Sequence, residues 1–221
     1  MSEQALRAEL VETCRGMVRL GLTRGTSGNV GVRCGDGLLV SPTGVPYDVL
    51  TADQVVPMTF SGEHRGAMLP SSEWRLHRDI LQARPELNAV VHTHSTHATA
   101  VAVLGRAIPA IHYDIAAAGG PTIRCAPYAT FGTEELARNV LAALEDRRAC
   151  LLAHHGVVAA GASLRAALAL AELVEELARL YLLCLPAGEP PTLPDEEIAR
   201  VVERYRTYGV QPGLPASKTG G

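Results

Sequence analysis

Apolar residues along this chain follow two spacings, one typical of helices and one typical of strands. Leu6, Leu10 and Cys14 recur every four residues, which predicts a helix over 3–20. The same criterion predicts helices over 71–83, 96–104, 133–144, 163–185 and 195–205. Short apolar runs bounded by turn residues predict strands over 30–33, 38–40, 54–59, 88–93, 122–125, 150–153 and 157–159. This mixed order favours one α/β domain with a central, mainly antiparallel β-sheet flanked by helices.

The predicted helix over 163–185 is apolar on more than one face, so we expect it to pack against both the sheet and a neighbouring element. Its charged side chains exclude a membrane span; they are Arg165, Glu172, Glu175, Glu176 and Arg179. We assign residues 1–209 to the domain. The residues 210–221 are rich in Gly and Pro and are predicted to form a flexible tail.

Composition and charge narrow the classes of function. The net charge is −3 with no basic stripe, so a nucleic-acid partner is not expected. The first residues, MSEQALRAEL, lack the pattern of a signal peptide, so we expect a cytoplasmic protein without a membrane anchor. The 5 cysteines form no CxxC pair, which argues against a disulfide framework, and all are interpreted as buried, small apolar residues.

Lysine usage excludes one mechanism of carbonyl activation. Of the 20 basic residues, only Lys218 is a lysine, and it lies in the C-terminal QPGLPASKTGG. Schiff-base chemistry requires a desolvated lysine with a lowered pKa, which this position does not favour. If the protein activates a carbonyl group, it must do so by other means.

Two histidines close the predicted strand NAVVHTH. The side chains of His92 and His94 share one face of that strand, with Cα atoms about 6.5–7 Å apart, so both can converge on a metal ion. A third ligand could come from His154 or His155, and periodicity does not say which of them faces the site. Because no cysteine ligands accompany them, three histidines with an open position would form a catalytic centre. His97 is expected to pack or to form a hydrogen bond instead.

Three segments of small residues could bind an anion through backbone N–H groups: GTSGN at 25–29, Thr43-Gly44, and Ser71-Ser72 at a predicted helix N-terminus. None is a Walker A sequence or a dinucleotide fingerprint, so a nucleotide is not the expected ligand. Glu73 follows Ser72 in the first turn of the predicted helix. It can complement the helix dipole or, beside a metal, act as an acid/base.

Several motifs occur in a characteristic order: GTSGNV, SPTG, LPSSEW, VVHTH, IPAIHY, CAPYATFGT and HHG. Together they resemble the class II aldolase/epimerase family over about residues 5–209. The resemblance implies a fold like that of the class II aldolase and adducin head domains. It also implies a homotetramer with active sites at subunit interfaces. The glycine at position 31 departs from the family, which often has serine there.

The resemblance also assigns residues. It matches His92, His94 and His155 to the ligands of one Zn²⁺ per chain, and Glu73 to a catalytic acid/base that also binds zinc when substrate is absent. The positions that match phosphate-binding residues are Asn29, Thr43, Gly44, Ser71 and Ser72. Tyr113 matches a tyrosine that acts on the aldehyde end of the neighbouring subunit's substrate. Phe131 and Tyr208 match positions on the aldehyde side.

The activity that the resemblance implies is reversible cleavage of a ketose 1-phosphate, L-fuculose 1-phosphate or a related deoxyketose 1-phosphate. The products would be dihydroxyacetone phosphate and an aldehyde such as L-lactaldehyde. One alternative is a pentulose-phosphate 4-epimerase, although those relatives usually carry aspartate at the position of Glu73. A second is a methylthioribulose-1-phosphate dehydratase. A third is an adducin-like scaffold, which lacks the zinc histidines.

Overall fold

The computed structural model describes residues 1–205 and 207. Tyr208, Lys218 and the tail predicted over 210–221 lie outside this part of the chain. The helices are α1 (Glu3–Arg19), α2 (Trp74–Ala83), α3 (Thr96–Val103), α4 (Glu134–Ala143), α5 (Leu164–Cys184) and α6 (Asp195–Tyr205). The strands are β1 (Asn29–Cys34), β2 (Gly37–Val40), β3 (Val56–Thr59), β4 (Ala89–Thr93), β5 (Ile108–Pro109), β6 (Thr122–Ala126), β7 (Ala149–Leu152) and β8 (Gly156–Gly161).

The strands form one sheet in the order β3-β2-β1-β4-β8-β7-β6-β5. Neighbouring strands are antiparallel except for β6 and β7, which are parallel. The expectation of a mainly antiparallel sheet in an α/β domain is therefore confirmed.

Helices cover both faces of the sheet because the inner strands alternate two sets of apolar side chains. In β4, Ala89 and Val91 pack into the core shared with α1, α3 and α5, whereas Val90 points into the core shared with α2 and α4. The helix α5 contacts the strands β4 and β8 as well as α1 and α3, as its pattern predicts. Among the described residues, no helix is long and apolar enough to cross a membrane.

Some local predictions were wrong. The strand β5 and a 3₁₀ turn over 113–118 were not predicted, because a two-residue strand leaves almost no periodic signal. The strand predicted over 54–59 begins only at Val56, after a 3₁₀ turn at 52–54. The cysteines form no disulfide, but Cys184 is exposed, and Cys34 and Cys125 are only partly buried. Cys184 ends α5, where the helix leaves the core.

At one end of the inner strands, the sheet brings together residues that are far apart in the sequence. Asn29 at the start of β1 pairs with His92 near the end of β4, and His92 also pairs with Val158 of β8. The turn that joins β7 to β8 therefore lies beside the end of β4. The candidate catalytic and metal-binding residues lie at this end of the inner strands.

Candidate active site

Three histidines and one glutamate lie close together at this end of the inner strands. His92 Nε2 lies 3.0 Å from His94 Nε2 and 3.2 Å from Glu73 Oε2. Glu73 Oε1 lies 3.3 Å from Nε2 of His155. One ligand atom from each of the four residues can be chosen so that all lie within 4.8 Å of one another. The structure thus places the four residues that the resemblance assigned to a metal in one cluster.

A hydrogen bond to the backbone orients His92. Its Nδ1 lies 2.8 Å from the carbonyl oxygen of Val157, which can only accept, so Nδ1 carries the proton. In the neutral ring, Nε2 is then unprotonated and presents its lone pair to the cluster. Metal-binding histidines are commonly held in this way by a bond from their other nitrogen.

The cluster fits a metal ion. Two atoms held about 2.0–2.1 Å from one tetrahedral ion lie about 3.3–3.4 Å apart, close to the distances observed between these side chains. Glu73 Oε1 is buried and makes no hydrogen bond, although a carboxylate oxygen without a partner is costly to bury. A shared cation would satisfy this oxygen and the converging nitrogens together.

The protonation states also suit a metal site. Burial opposes the charge on Glu73, but His92 and His155 attract it, and together with a hydrogen bond from Asn29 they lower the pKa of Glu73. Burial lowers the pKa of His94 and of His155 to about 4, and neighbouring His92 adds to this effect. Near pH 7, Glu73 is a carboxylate and these two histidines are neutral, as metal ligands must be. Burial opposes the charge on His92, but the Glu73 carboxylate beside it raises the pKa of His92, so a metal ion would displace the proton from its Nε2.

The structure separates the two histidines that the sequence left as alternatives. Both lie in the turn between β7 and β8 rather than on a strand, and the backbone of His154 is left-handed, with φ of 55°. This turn directs His155 to the cluster and His154 to the cavity above it. The next residue is Gly156, where a Cβ would lie 2.4 Å from the carbonyl oxygen of Thr93. The glycine therefore allows β8 to begin against the ligand-bearing strand.

Glu73 is held by a turn rather than by a helix. Sequence analysis placed it in the first turn of a helix capped by Ser71 or Ser72, but α2 begins at Trp74 and Glu73 is its N-cap residue. The hydroxyl of Ser71 accepts a hydrogen bond from the Glu73 backbone N–H two residues later, which closes a turn before the helix. Asn29 Nδ2 donates to Glu73 Oε2 over 3.0 Å.

A cavity of about 330 Å³ opens above the cluster. One wall is lined by all five positions that were expected to bind phosphate: Asn29, Thr43, Gly44, Ser71 and Ser72. Gly28 and Gly44 have left-handed backbones, with φ of 75° and 70°, which other L-residues rarely adopt. The buried hydroxyl of Tyr47 donates to the carbonyl oxygen of Gly28 and fixes this loop. Among the described residues, this wall offers small or polar side chains and contains no arginine or lysine.

The expected aldehyde-side residues are placed differently. Phe131 lines the cavity and is exposed. Tyr113 is also exposed, but it lies in the 3₁₀ turn over 113–118 and does not line this chain's own cavity. Tyr208 lies outside the described residues.

Sequence reasoning missed Tyr128 and His77 near the site and considered His154 only as an alternative metal ligand. Tyr128 and His154 line the cavity and contact each other edge to face. His77 is fully buried and bonds to Asn29, although nothing in its sequence spacing indicates a metal ligand. The available signal was its position four residues after Glu73, because residues at that spacing share a helix face and the spacing therefore predicts that His77 lies near Glu73. His97 binds Glu175 instead of joining the cluster, as expected.

Comparisons with known proteins agree with this geometry. The L-fuculose phosphate aldolase of Escherichia coli O6:H1 is 54% identical over 212 residues, covering 96% of this chain and 99% of that protein. The 5-methylthioribulose-1-phosphate/5-deoxyribulose-1-phosphate aldolase of Rhodospirillum rubrum is 52% identical and covers 97% of each chain. A solved structure of an L-fuculose 1-phosphate aldolase has a TM-score of 0.90 at 39% identity, covering 93% of this chain and 98% of that one.

A family model described as the class II aldolase and adducin N-terminal domain matches residues 8–182, which include the whole sheet and all of the histidine cluster. The matched segment and the full-length relatives agree on one family. This chain belongs to the class II aldolase family.

Proposed function

We propose that this protein is a zinc-dependent aldehyde-lyase that cleaves a ketose 1-phosphate into dihydroxyacetone phosphate and an aldehyde. The proposed substrate is L-fuculose 1-phosphate, which would release L-lactaldehyde. The name of the relative at 54% identity supports this substrate. The cytoplasmic location expected from the sequence stays a prediction.

One observation supports the proposal most strongly. A single cavity is lined by His94, His155 and Glu73 of the cluster and by all five expected phosphate-binding positions, and the buried His92 completes the cluster. A ketose 1-phosphate has its phosphate one carbon away from its carbonyl, so neighbouring residues of one small cavity suit its two polar groups. A scaffold domain has no need for this arrangement.

The chain's own residues supply binding and proton transfer. Zn²⁺ held by the three histidines would stabilise the negative charge left on the ketone fragment when the C3–C4 bond breaks. In the synthetic direction, Glu73 removes a proton from the hydroxymethyl carbon of dihydroxyacetone phosphate, and in cleavage it returns that proton. With Lys218 the only lysine in the sequence, an imine route is not favoured.

The small-residue wall would hold the phosphate. The hydroxyls of Thr43, Ser71 and Ser72 and the amide of Asn29 can donate hydrogen bonds to its oxygens, and Gly44 lets the backbone approach closely. Binding at this end positions the reacting carbon next to Glu73. Because Asn29 also bonds to Glu73, it links the phosphate-binding residues to the acid/base.

We further propose a homotetramer in which Tyr113 protonates the aldehyde oxygen in the neighbouring subunit's site during synthesis and takes that proton back from the hydroxyl group during cleavage. Tyr113 is exposed and lies away from its own cavity, which supports a role across an interface. Phe131 would contact the aldehyde within its own subunit. Tyr208 is proposed to act on the same side.

A second candidate substrate is 5-deoxyribulose 1-phosphate or its 5-methylthio derivative. The relative at 52% identity carries these names, so identity hardly separates the two substrates. Cleavage between C3 and C4 of these five-carbon sugars leaves a two-carbon aldehyde, with or without the methylthio group. The exposed aromatic ring of Phe131 suits either product.

The test measures bound metal and product with each substrate. Dihydroxyacetone phosphate release from L-fuculose 1-phosphate and from 5-deoxyribulose 1-phosphate is assayed on the same preparation, together with epimerase and dehydratase activities. Release from either phosphate supports the aldolase, and the ratio of kcat/KM values identifies the better substrate. Epimerisation or dehydration without release would overturn the proposal.

A further inference from the structure

His77 is a buried polar residue to which the proposed reaction assigns no role. It lies on α2 with no exposed surface, and its Nε2 is 2.6 Å from Oδ1 of Asn29. Asn29 Nδ2 in turn donates to Glu73 Oε2 over 3.0 Å. These contacts form a chain of three side chains from the interior to the carboxylate.

The direction of the hydrogen bonds follows from the acceptor at the end of the chain. The ionised carboxylate of Glu73 can only accept, so Asn29 must turn its NH₂ group toward it. Asn29 then presents Oδ1 to His77, and Oδ1 can only accept. The ring of His77 must therefore carry a proton on Nε2. The opposite tautomer would favour a flipped amide with an oxygen facing the carboxylate.

The surroundings hold the ring of His77 in this place. Gly31 of β1 lies against it, and a Cβ at position 31 would approach the His77 Cβ and Cγ atoms to 2.6 Å. The glycine that departs from the family pattern is therefore in direct contact with this residue. Burial, with a contribution from the charge of His92, lowers the pKa of His77 to about 3, so the ring is neutral near pH 7.

We propose that His77 is a positioning residue whose Nε2–H fixes the amide of Asn29, which in turn orients the Glu73 carboxylate. Oε2 accepts from Asn29 and lies 3.2 Å from His92 Nε2, and this orientation places Oε1 3.3 Å from His155 Nε2, where it makes no hydrogen bond. The catalytic part of this inference rests on the proposed proton transfer by Glu73. The structural part, the tautomer and the amide orientation, does not.

The structural part is tested by NMR on the metal-loaded protein labelled with ¹⁵N. We expect the His77 ring in the Nε2–H form, and the Asn29 side-chain amide as one sharp pair of signals that His77→Leu shifts or broadens. The Asn29 signals are assigned by their loss in Asn29→Leu. A His77 ring protonated at Nδ1, facing the Val90 backbone, would overturn the inference.

The catalytic part is tested by three variants and the exchange of the hydroxymethyl proton of dihydroxyacetone phosphate. His77→Leu is expected to lower kcat for exchange by about 10–100-fold, with KM and metal content near wild type. His77→Gln can still donate to Asn29 and should recover most of the loss. Ile80→Ala, which opens a cavity on the same helix, should lower Tm without changing kcat.

The outcomes separate the two proposals. If wild-type protein exchanges the proton and His77→Leu does so equally well, the inference about His77 is wrong and the aldolase stands. If His77→Gln is as slow as His77→Leu, packing rather than hydrogen bonding explains the loss, and the inference again fails. If wild-type protein neither exchanges the proton nor releases product, the proposed function fails, while NMR still decides the role of His77.

Discussion

The proposed substrate site has a buried end, the histidine cluster, and an exposed end, the aldehyde side, and the two are built in opposite ways. At the buried end, His92 is 0% exposed between two neighbouring strands, and Glu73 is 6% exposed in the turn before α2. At the proposed aldehyde end, Phe131 is 64% exposed and Tyr113 is 50% exposed. Both aromatic residues lie in loops or turns rather than on the sheet.

This contrast suggests that the buried end carries out the reaction and that the exposed end selects the aldehyde. The buried end is complete within one chain, because all four cluster residues and the groups that hydrogen-bond to His92 and Glu73 belong to the same subunit. The exposed end would gain Tyr113 only from a neighbouring subunit. We expect substitutions at the buried end to abolish the reaction. Substitutions at the exposed end should change its rate and its preference among aldehydes.

The largest effect is expected for His94→Ala. Removing one of three nitrogen ligands should abolish metal binding, and aldol cleavage should fall to background because no cation remains to hold the developing charge. Metal analysis and product release are measured together. His97→Ala is the control, since His97 bonds to Glu175 outside the cluster and should leave the metal in place. Full metal occupancy in His94→Ala would contradict the assignment.

Glu73→Gln should be almost as severe. The amide cannot accept the hydroxymethyl proton, so exchange of that proton should fall by about 10²–10⁴-fold while the three histidines keep the metal. Exchange is followed by deuterium incorporation into dihydroxyacetone phosphate. In the matched control Glu175→Gln, where the carboxylate caps α3, exchange should persist even if Tm decreases. Undiminished exchange in Glu73→Gln would remove Glu73 as the base.

Tyr113→Phe should have a smaller and selective effect. Loss of the phenol should slow aldol turnover by about 10²-fold, the low end for a general acid, and should leave proton exchange nearly unchanged. The two rates are compared on one preparation whose oligomeric state is measured by light scattering. Equal slowing of both rates would mean that Tyr113 does not act on the aldehyde alone.

Phe131→Ala should have the smallest effect on rate. An apolar contact with the aldehyde supports only modest discrimination, so the kcat/KM ratio for L-fuculose and 5-deoxyribulose 1-phosphates should change by about tenfold. Competition between the two substrates measures that ratio directly. A ratio equal to that of the wild type would exclude Phe131 from aldehyde recognition.

The sequence predicted much of the fold because periodicity reports which faces are buried. The pairing of His92 with His94 followed from strand geometry alone. Predictions from periodicity and helix capping failed where the backbone forms irregular turns. Periodicity could not choose between His154 and His155, because both lie in a turn where His154 is left-handed. The capping rule misplaced the start of α2, since Ser71 bonds two residues ahead instead of three.

Long-range contacts account for the remaining differences. Asn29 was assigned to the phosphate, yet it also bonds to Glu73, which lies 44 residues away in the chain. The bond between His77 and Asn29 spans 48 residues and has no local signature. The packing of α2 against β1 brings these side chains to the same place.

The central claim is that this chain is a metal-dependent aldolase, and one coupled measurement tests it most directly. Bound metal per chain is determined on the purified protein, and dihydroxyacetone phosphate release from L-fuculose 1-phosphate is then followed with and without a chelator. The account predicts one zinc ion per chain and release that the chelator abolishes and added zinc restores. Release that continues unchanged after complete removal of the metal would contradict it.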